Sequence, residues 1–223
     1  RSFCGLAQTT EFYRSILHTL LRVAAGFAAG MAAGLLAGTL TAFSRAADVL
    51  LTPLKNIIKA TPVTSFIVLI LLYFSSNVTP SAVAFLAVLP ICWSNVCEGL
   101  RQTDKKMTEL AHAYAFGRKK TLREIYFPTV RPYLSAAATT GLGFAWKSCV
   151  AAEVIALSKN SVGRALYESK LYLETAELFA WTASVVLISV LFEKLLVHKL
   201  FKNKNTEGTA GRRSESLEHE HAS

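Results

Sequence analysis

The sequence predicts an all-α, polytopic transmembrane helical bundle. Of 223 residues, 52% are hydrophobic and only 17% are charged. The apolar residues gather into runs long enough to cross a bilayer, which a soluble domain of this size does not need. Lys and Arg outnumber Asp and Glu by 24 to 15, for a net charge of +9, and the positive residues cluster in the gaps between the apolar runs. That placement fits membrane orientation, not nucleic-acid binding.

Five spans are expected, at about residues 18–43, 58–75, 80–97, 132–157 and 176–200. In the first, Gly26, Gly30, Gly34 and Gly38 recur every fourth residue and fall along one helical stripe, which lets a neighbouring helix approach closely. The second is entered through Pro62, and the third contains Pro90. Trp93 and Asn95, just beyond that proline, suit either a kinked polar path or inter-helix packing. The fourth span carries Lys147 and Glu153, and ionisable groups within a span usually face a bundle interior or water. Six residues apart, they do not share a face. One lining a translocation path and each pairing with another helix are both open. Arg22, near the end of the first span, is expected to snorkel to the interface.

Counting Lys and Arg in each gap orients the chain. The gap 98–131 holds Arg101, Lys105, Lys106, Arg118, Lys119, Lys120, Arg123 and Arg131, whereas 76–79 holds none, so 98–131 reads as cytoplasmic. The segment 44–57 then also reads as a cytoplasmic connection and 158–175 as an outer one. Five spans place the N-terminus outside. Without a signal-peptide pattern or an initiating Met, this suggests a preceding span. The organisation expected is a transmembrane domain over 1–201 and a polar, disordered tail over 202–223. Cys92, Cys97 and Cys149 lie in apolar runs and Cys4 stands alone, so free thiols are expected, with no metal site.

The segment "ELAHAYAFGRKKTLREIYFP", residues 109–128, is charged yet helix-forming. Met107, Leu110, Ala111 and Tyr114 follow helical spacing. Gly117 reads as the helix stop, and a second short helix with Leu122, Ile125 and Tyr126 on one face is expected to end at Pro128. Spacing alone allows docking to a soluble partner or a helical loop lying on the bilayer.

This segment resembles the EAA loop of permease subunits of bacterial ABC importers. That pattern is Glu-Ala-Ala, a Gly six residues after the Glu, and Ile-x-Leu-Pro, with Glu and Pro nineteen residues apart. Glu109 and Pro128 have that spacing. In this register Ala111 fills the second Ala, Ile125 the Ile and Phe127 the Leu, while Leu110 replaces the first Ala and Ala115 the Gly; Gly117 falls two residues late. Further stretches over roughly 12–200, among them "LLTPLKNIIKATPVTSFIVLILLYF" and "GLGFAWKSCVAAEVIALSKNSVGRALYESK", resemble permeases of the nitrate, sulfonate and taurine group, which includes importers of thiamine-precursor pyrimidines.

The resemblance implies a type I ABC importer permease whose coupling-helix hairpin, 98–131, meets an ATPase. Glu109, Ala111, Ala115, Gly117, Ile125 and Pro128 would carry the coupling. It also implies a permease dimer, an extracytoplasmic substrate-binding protein and a home in the bacterial inner membrane among lipid. "GLGFAWKS" lacks the Gly that a phosphate loop places before its Lys, and no catalytic constellation occurs in the chain. ATP and Mg are therefore expected in the partner, with no cofactor here. The competing reading is a secondary transporter driven by an ion gradient, with Lys147 and Glu153 handling the coupling ion.

Overall fold

The computed structural model describes residues 10–201, the side chains of 105, 112, 118, 193 and 195–201 excepted; Cys4 and the 202–223 tail lie outside this range. Among the described residues all regular structure is helical: α1 (Thr10–Phe43), α2 (Arg45–Ala60), α3 (Val63–Tyr73), α4 (Thr79–Arg101), α5 (Lys105–Ala113), α6 (Arg118–Thr121), a π-wound turn (Leu122–Tyr126), α7 (Phe127–Ala156), α8 (Val162–Leu171) and α9 (Thr175–Phe201).

The centre of the bundle is α4, packed between α1 and α7. Its contact with α1 is made by the glycine stripe: Gly26, Gly30, Gly34 and Gly38 are all buried. A Cβ on Gly34 would lie 2.6 Å from Cβ of Cys92, and one on Gly38 2.9 Å from the Trp93 carbonyl. Without side chains on this stripe, backbone meets backbone and dispersion contacts accumulate along both helices. Val23, Ala84, Val88, Ala145, Trp146 and Cys149 form the core where the three helices meet. The Trp146 indole N–H donates to the Val185 carbonyl at 3.3 Å, tying α9 to α7. Cys92, Cys97 and Cys149 are buried free thiols.

Three described helices are long and apolar enough to cross a membrane: α1, α4 and Thr175–Phe192 of α9. The 30-residue α7 is long enough, at about 45 Å, but carries Lys147 and Glu153.

The expected second span, 58–75, is not one helix. α2 and α3 meet at a bend of 103°. Pro62 forbids the helical hydrogen bond and pushes Thr61 into extended backbone, φ −76° and ψ 128°. The 11-residue α3 reaches only about 16 Å, half a bilayer, so the pair forms a broken or re-entrant span. Residues 44–57, expected as a connection, belong mostly to α2, whose first turn is capped by the Ser44 hydroxyl accepting from the Ala47 N–H at 3.3 Å.

The expected second hairpin helix ending at Pro128 is also corrected. Helix runs on through Pro128, which lies in the first turn of α7. The π turn just before it, in which the Phe127 N–H bonds to the Leu122 carbonyl, takes up the change of register a missing donor imposes.

Candidate functional site

Two polar regions stand at opposite ends of the bundle. At the basic end, α5 stands apart on the connection between α4 and α7. Ala111 turns inward at 3% exposure, while Met107, Leu110 and Tyr114 are 55%, 56% and 70% exposed. The expected single apolar face is thus split: Ala111 anchors the helix and the larger side chains remain outside. Glu109 is exposed beside them. Ile125 is half-buried, Pro128 is exposed, and Tyr126 packs edge-on against Phe43 with ring centroids 5.3 Å apart.

The turn that follows α5 falls on Ala115, not on Gly117. Ala115 has φ +49°, whereas no described glycine has a positive φ. The Phe116 N–H reaches back to the Ala111 carbonyl at 2.8 Å, the six-residue closure of a Schellman cap with Ala115 in its left-handed position. An L-residue pays about 1–2 kcal/mol for that conformation, and glycine does not. Ala115→Gly is therefore expected to stabilise the turn by roughly 0.5–1 kcal/mol, read as slower proteolytic nicking between α5 and α6. Faster nicking would show that the turn lies elsewhere. This is the position matched to Gly in the EAA pattern.

At the other end, Glu153 is fully buried and surrounded by donors. The Thr19 hydroxyl donates to its carboxylate, 3.0 and 2.9 Å from the two oxygens. Arg22 Nη1 pairs with Oε1 at 2.9 Å, and the Gly163 N–H reaches Oε2 at 3.3 Å. Thr19 Oγ1 also accepts from the Val162 N–H at 3.2 Å, and Arg22 Nη2 donates to the Lys159 carbonyl at 2.9 Å and Asn77 Oδ1 at 3.3 Å. One carboxylate thus ties α1, α7 and the start of α8 together. Gly163 is required here: a Cβ would overlap that of Glu153 and come within 2.6 Å of the Val154 nitrogen. The expectation that Arg22 snorkels is overturned, because its guanidinium has better partners inside the protein than at the interface. Glu153 pairs with another helix, so its charge is not available as that of a lone intramembrane acid.

Sequence reading missed Thr19 and Gly163. Their signal was weak, since a lone Thr or Gly in a helical run is ordinary. The remaining path candidates separate. Trp93 is buried, its indole donating to Thr41 Oγ1 at 3.0 Å with Lys55 Nζ 5.7 Å from its ring. Asn95 is half-buried and bonds back to the Ile91 carbonyl of its own helix at 2.8 Å. Lys147 is exposed on α7, away from both polar ends.

Residues 30–198 match the family described as "Binding-protein-dependent transport system inner membrane component". A protein of Bacillus subtilis bearing the name "Putative aliphatic sulfonates transport permease protein SsuC" is 26% identical over 92% of this chain and 75% of its own length. The riboflavin transport system permease protein RibX of Chloroflexus aurantiacus is 31% identical over 83% of this chain and 72% of its own. In three dimensions the fold superposes on a chain from the crystal structure of an amino acid ABC transporter with histidines. The TM-score is 0.68, with 15% identity, 87% of this chain and 93% of that one covered. These matches set the secondary-transporter reading aside: the chain belongs to the binding-protein-dependent transport system inner membrane components, the permease subunits of ABC importers.

Proposed function

We propose that two copies of this permease enclose the path of a small solute of the sulfonate, nitrate or taurine type, or of a pyrimidine precursor, and take their drive from ABC ATPase subunits docked on α5. ATP and Mg bind in those subunits, and a binding protein delivers solute on the far side of a bacterial inner membrane, where lipid covers the remaining apolar surface. The relatives differ in what their names say they carry, sulfonates or riboflavin, so the named solutes are a range and not a choice.

The observation that supports α5 as the docking element is its outward apolar set, Met107, Leu110 and Tyr114, on a short helix held away from the bundle. Glu109 beside them offers a charge for a basic group of the ATPase, with Ala111, Ala115, Gly117, Ile125 and Pro128 shaping the hairpin. Loss of a charge-assisted contact between subunits costs about 2–5 kcal/mol. The helix-dipole contribution of the same carboxylate is only about 0.3–1 kcal/mol, too little to prevent folding. Glu109→Lys is therefore expected to insert at the wild-type level and to retain less than a tenth of the ATPase in quantitative pull-down from membranes. Full retention of the ATPase would remove α5 from the coupling.

A further inference from the structure

We infer that Lys147 makes the path selective for small organic anions, its ammonium pairing with a sulfonate or carboxylate group as the solute passes. The inference rests on the reading above that two copies of the chain enclose the path.

Lys147 lies on α7 six residues, or about 9 Å along the axis, from Glu153. It is exposed and has no hydrogen-bond or ionic partner among the described residues. The acid on its own helix cannot serve it, because Glu153 points elsewhere and is held by Arg22 at 2.9 Å. Snorkelling toward the near end of α7 is disfavoured as well: side chains on a helix tilt toward its N-terminus, which here is away from that end.

The exposed residues nearest Lys147 are smaller than those on the apolar outer faces of α9 and α3. The exposed parts of α9 present Phe179, Val186, Leu187 and Leu191, and those of α3 present Val68, Leu69 and Leu72. On α7, the exposed residues within about 40° of Lys147 by helical geometry are Ala136, Thr140 and Ala151; Tyr133, Gly143 and Val154 on the same face are half-buried, and the exposed Phe144 borders it. A Cβ on Gly143 would meet nothing within 4 Å, so the surface there is open.

Three surroundings can be compared. Lipid would leave a charge uncompensated in hydrocarbon, with only the small Ala136, Thr140 and Ala151 exposed directly around it. Close packing of a second copy about a two-fold axis would set the same face against itself, bringing lysine toward lysine with no acid between them. Water leaves the ammonium solvated and explains the small, open flank. A passage enclosed by two copies then carries two like positive charges between low-dielectric walls, where the field is focused and anions concentrate.

The test uses thiol labelling in membranes of cells expressing the whole transporter, with the native cysteines replaced. Single cysteines at Thr140, Ala151 and Lys147 are treated with two methanethiosulfonates of similar size, one bearing a sulfonate and one a quaternary ammonium. With Lys147 present, cysteines at 140 and 151 are expected to react faster with the anionic reagent, by about tenfold relative to the cationic one, the lower end of field focusing in a charged cleft. Lys147→Gln should abolish the preference and Lys147→Arg should keep it, each judged on permease that still retains its ATPase. Reaction with both reagents alike, with or without Lys147, would overturn anion selection while leaving the path where it is placed. Inertness of all three cysteines would overturn both the wet face and the selection. Either result is separate from α5 docking, which the pull-down of Glu109→Lys reads on its own.

Discussion

Gly30→Leu combined with Gly34→Leu is expected to abolish a stable bundle while leaving membrane insertion intact. A Cβ alone at Gly30 would lie 2.8 Å from the Val88 Cβ and 2.9 Å from the Phe85 carbonyl, and one at Gly34 2.6 Å from the Cys92 Cβ and 2.8 Å from the Leu89 carbonyl. Carbon contacts are at their best near 3.5–4.0 Å, and the atoms met are backbone or Cβ, which cannot rotate away. α1 must therefore retreat from α4 along most of its length. Overpacking a core commonly costs about 1–3 kcal/mol per site, and here the retreat also opens the core around Val23, Ala84 and Val88. Insertion depends on the apolarity of each span, which leucine raises. The measurement is the fraction of membrane-inserted permease recovered as a single species in mild detergent, expected to fall at least tenfold, with Gly30→Ala alone intermediate. Undiminished recovery of the double variant would show that α1 does not meet α4 through these glycines.

What could be read in the sequence was whatever has a period or a charge count. The fourfold glycine spacing announces a helix face before any partner is known, and the structure supplies α4 as that partner. The Glu109 to Pro128 register matches Ala115 to the Gly of the EAA pattern, but Gly117 reads as the helix stop, and the neighbouring hydrogen bonds place the left-handed residue at Ala115 instead. What failed were inferences in which one residue was read without its tertiary setting. In the sequence Pro62 reads as the entrance to a span, but whether a proline begins a helix or folds two helices at 103° depends on what packs against each piece. Pro128 reads as a stop in the sequence, but helix continues through it after a π turn. The charged residues of 44–57 suggested a connection, yet α2 forms there and Asp48 pairs with Arg101 of α4 at 2.7 Å. The Glu153 cluster is the clearest case. Its members Thr19, Arg22, Glu153 and Gly163 lie up to 144 positions apart in the chain, and no local pattern connects them.

That cluster carries the second large expectation. Arg22→Met should destabilise the permease by about 3–5 kcal/mol, the usual cost of leaving one partner of a buried ion pair uncompensated. Thr19 and the Gly163 N–H would still donate to Glu153, but neither brings a positive charge. Glu153→Gln alone should be milder. Arg22 retains the Lys159 carbonyl at 2.9 Å, and an amide still fills the space beside Thr19. The decisive comparison is the double variant. If the carboxylate is the group that suffers when Arg22 is lost, adding Glu153→Gln to Arg22→Met removes the stranded charge and should restore stability by at least about 1 kcal/mol, within the range found for residues in direct contact. A snorkelling arginine predicts a different pattern, with Arg22→Met nearly neutral and the two changes additive. Thermal unfolding of the purified permease in one detergent, run on all four members of the cycle, separates the two. Additive losses would mean that Arg22 and Glu153 are neighbours without being partners, and that α8 is held to the bundle by Thr19 and the close fit of Gly163 alone.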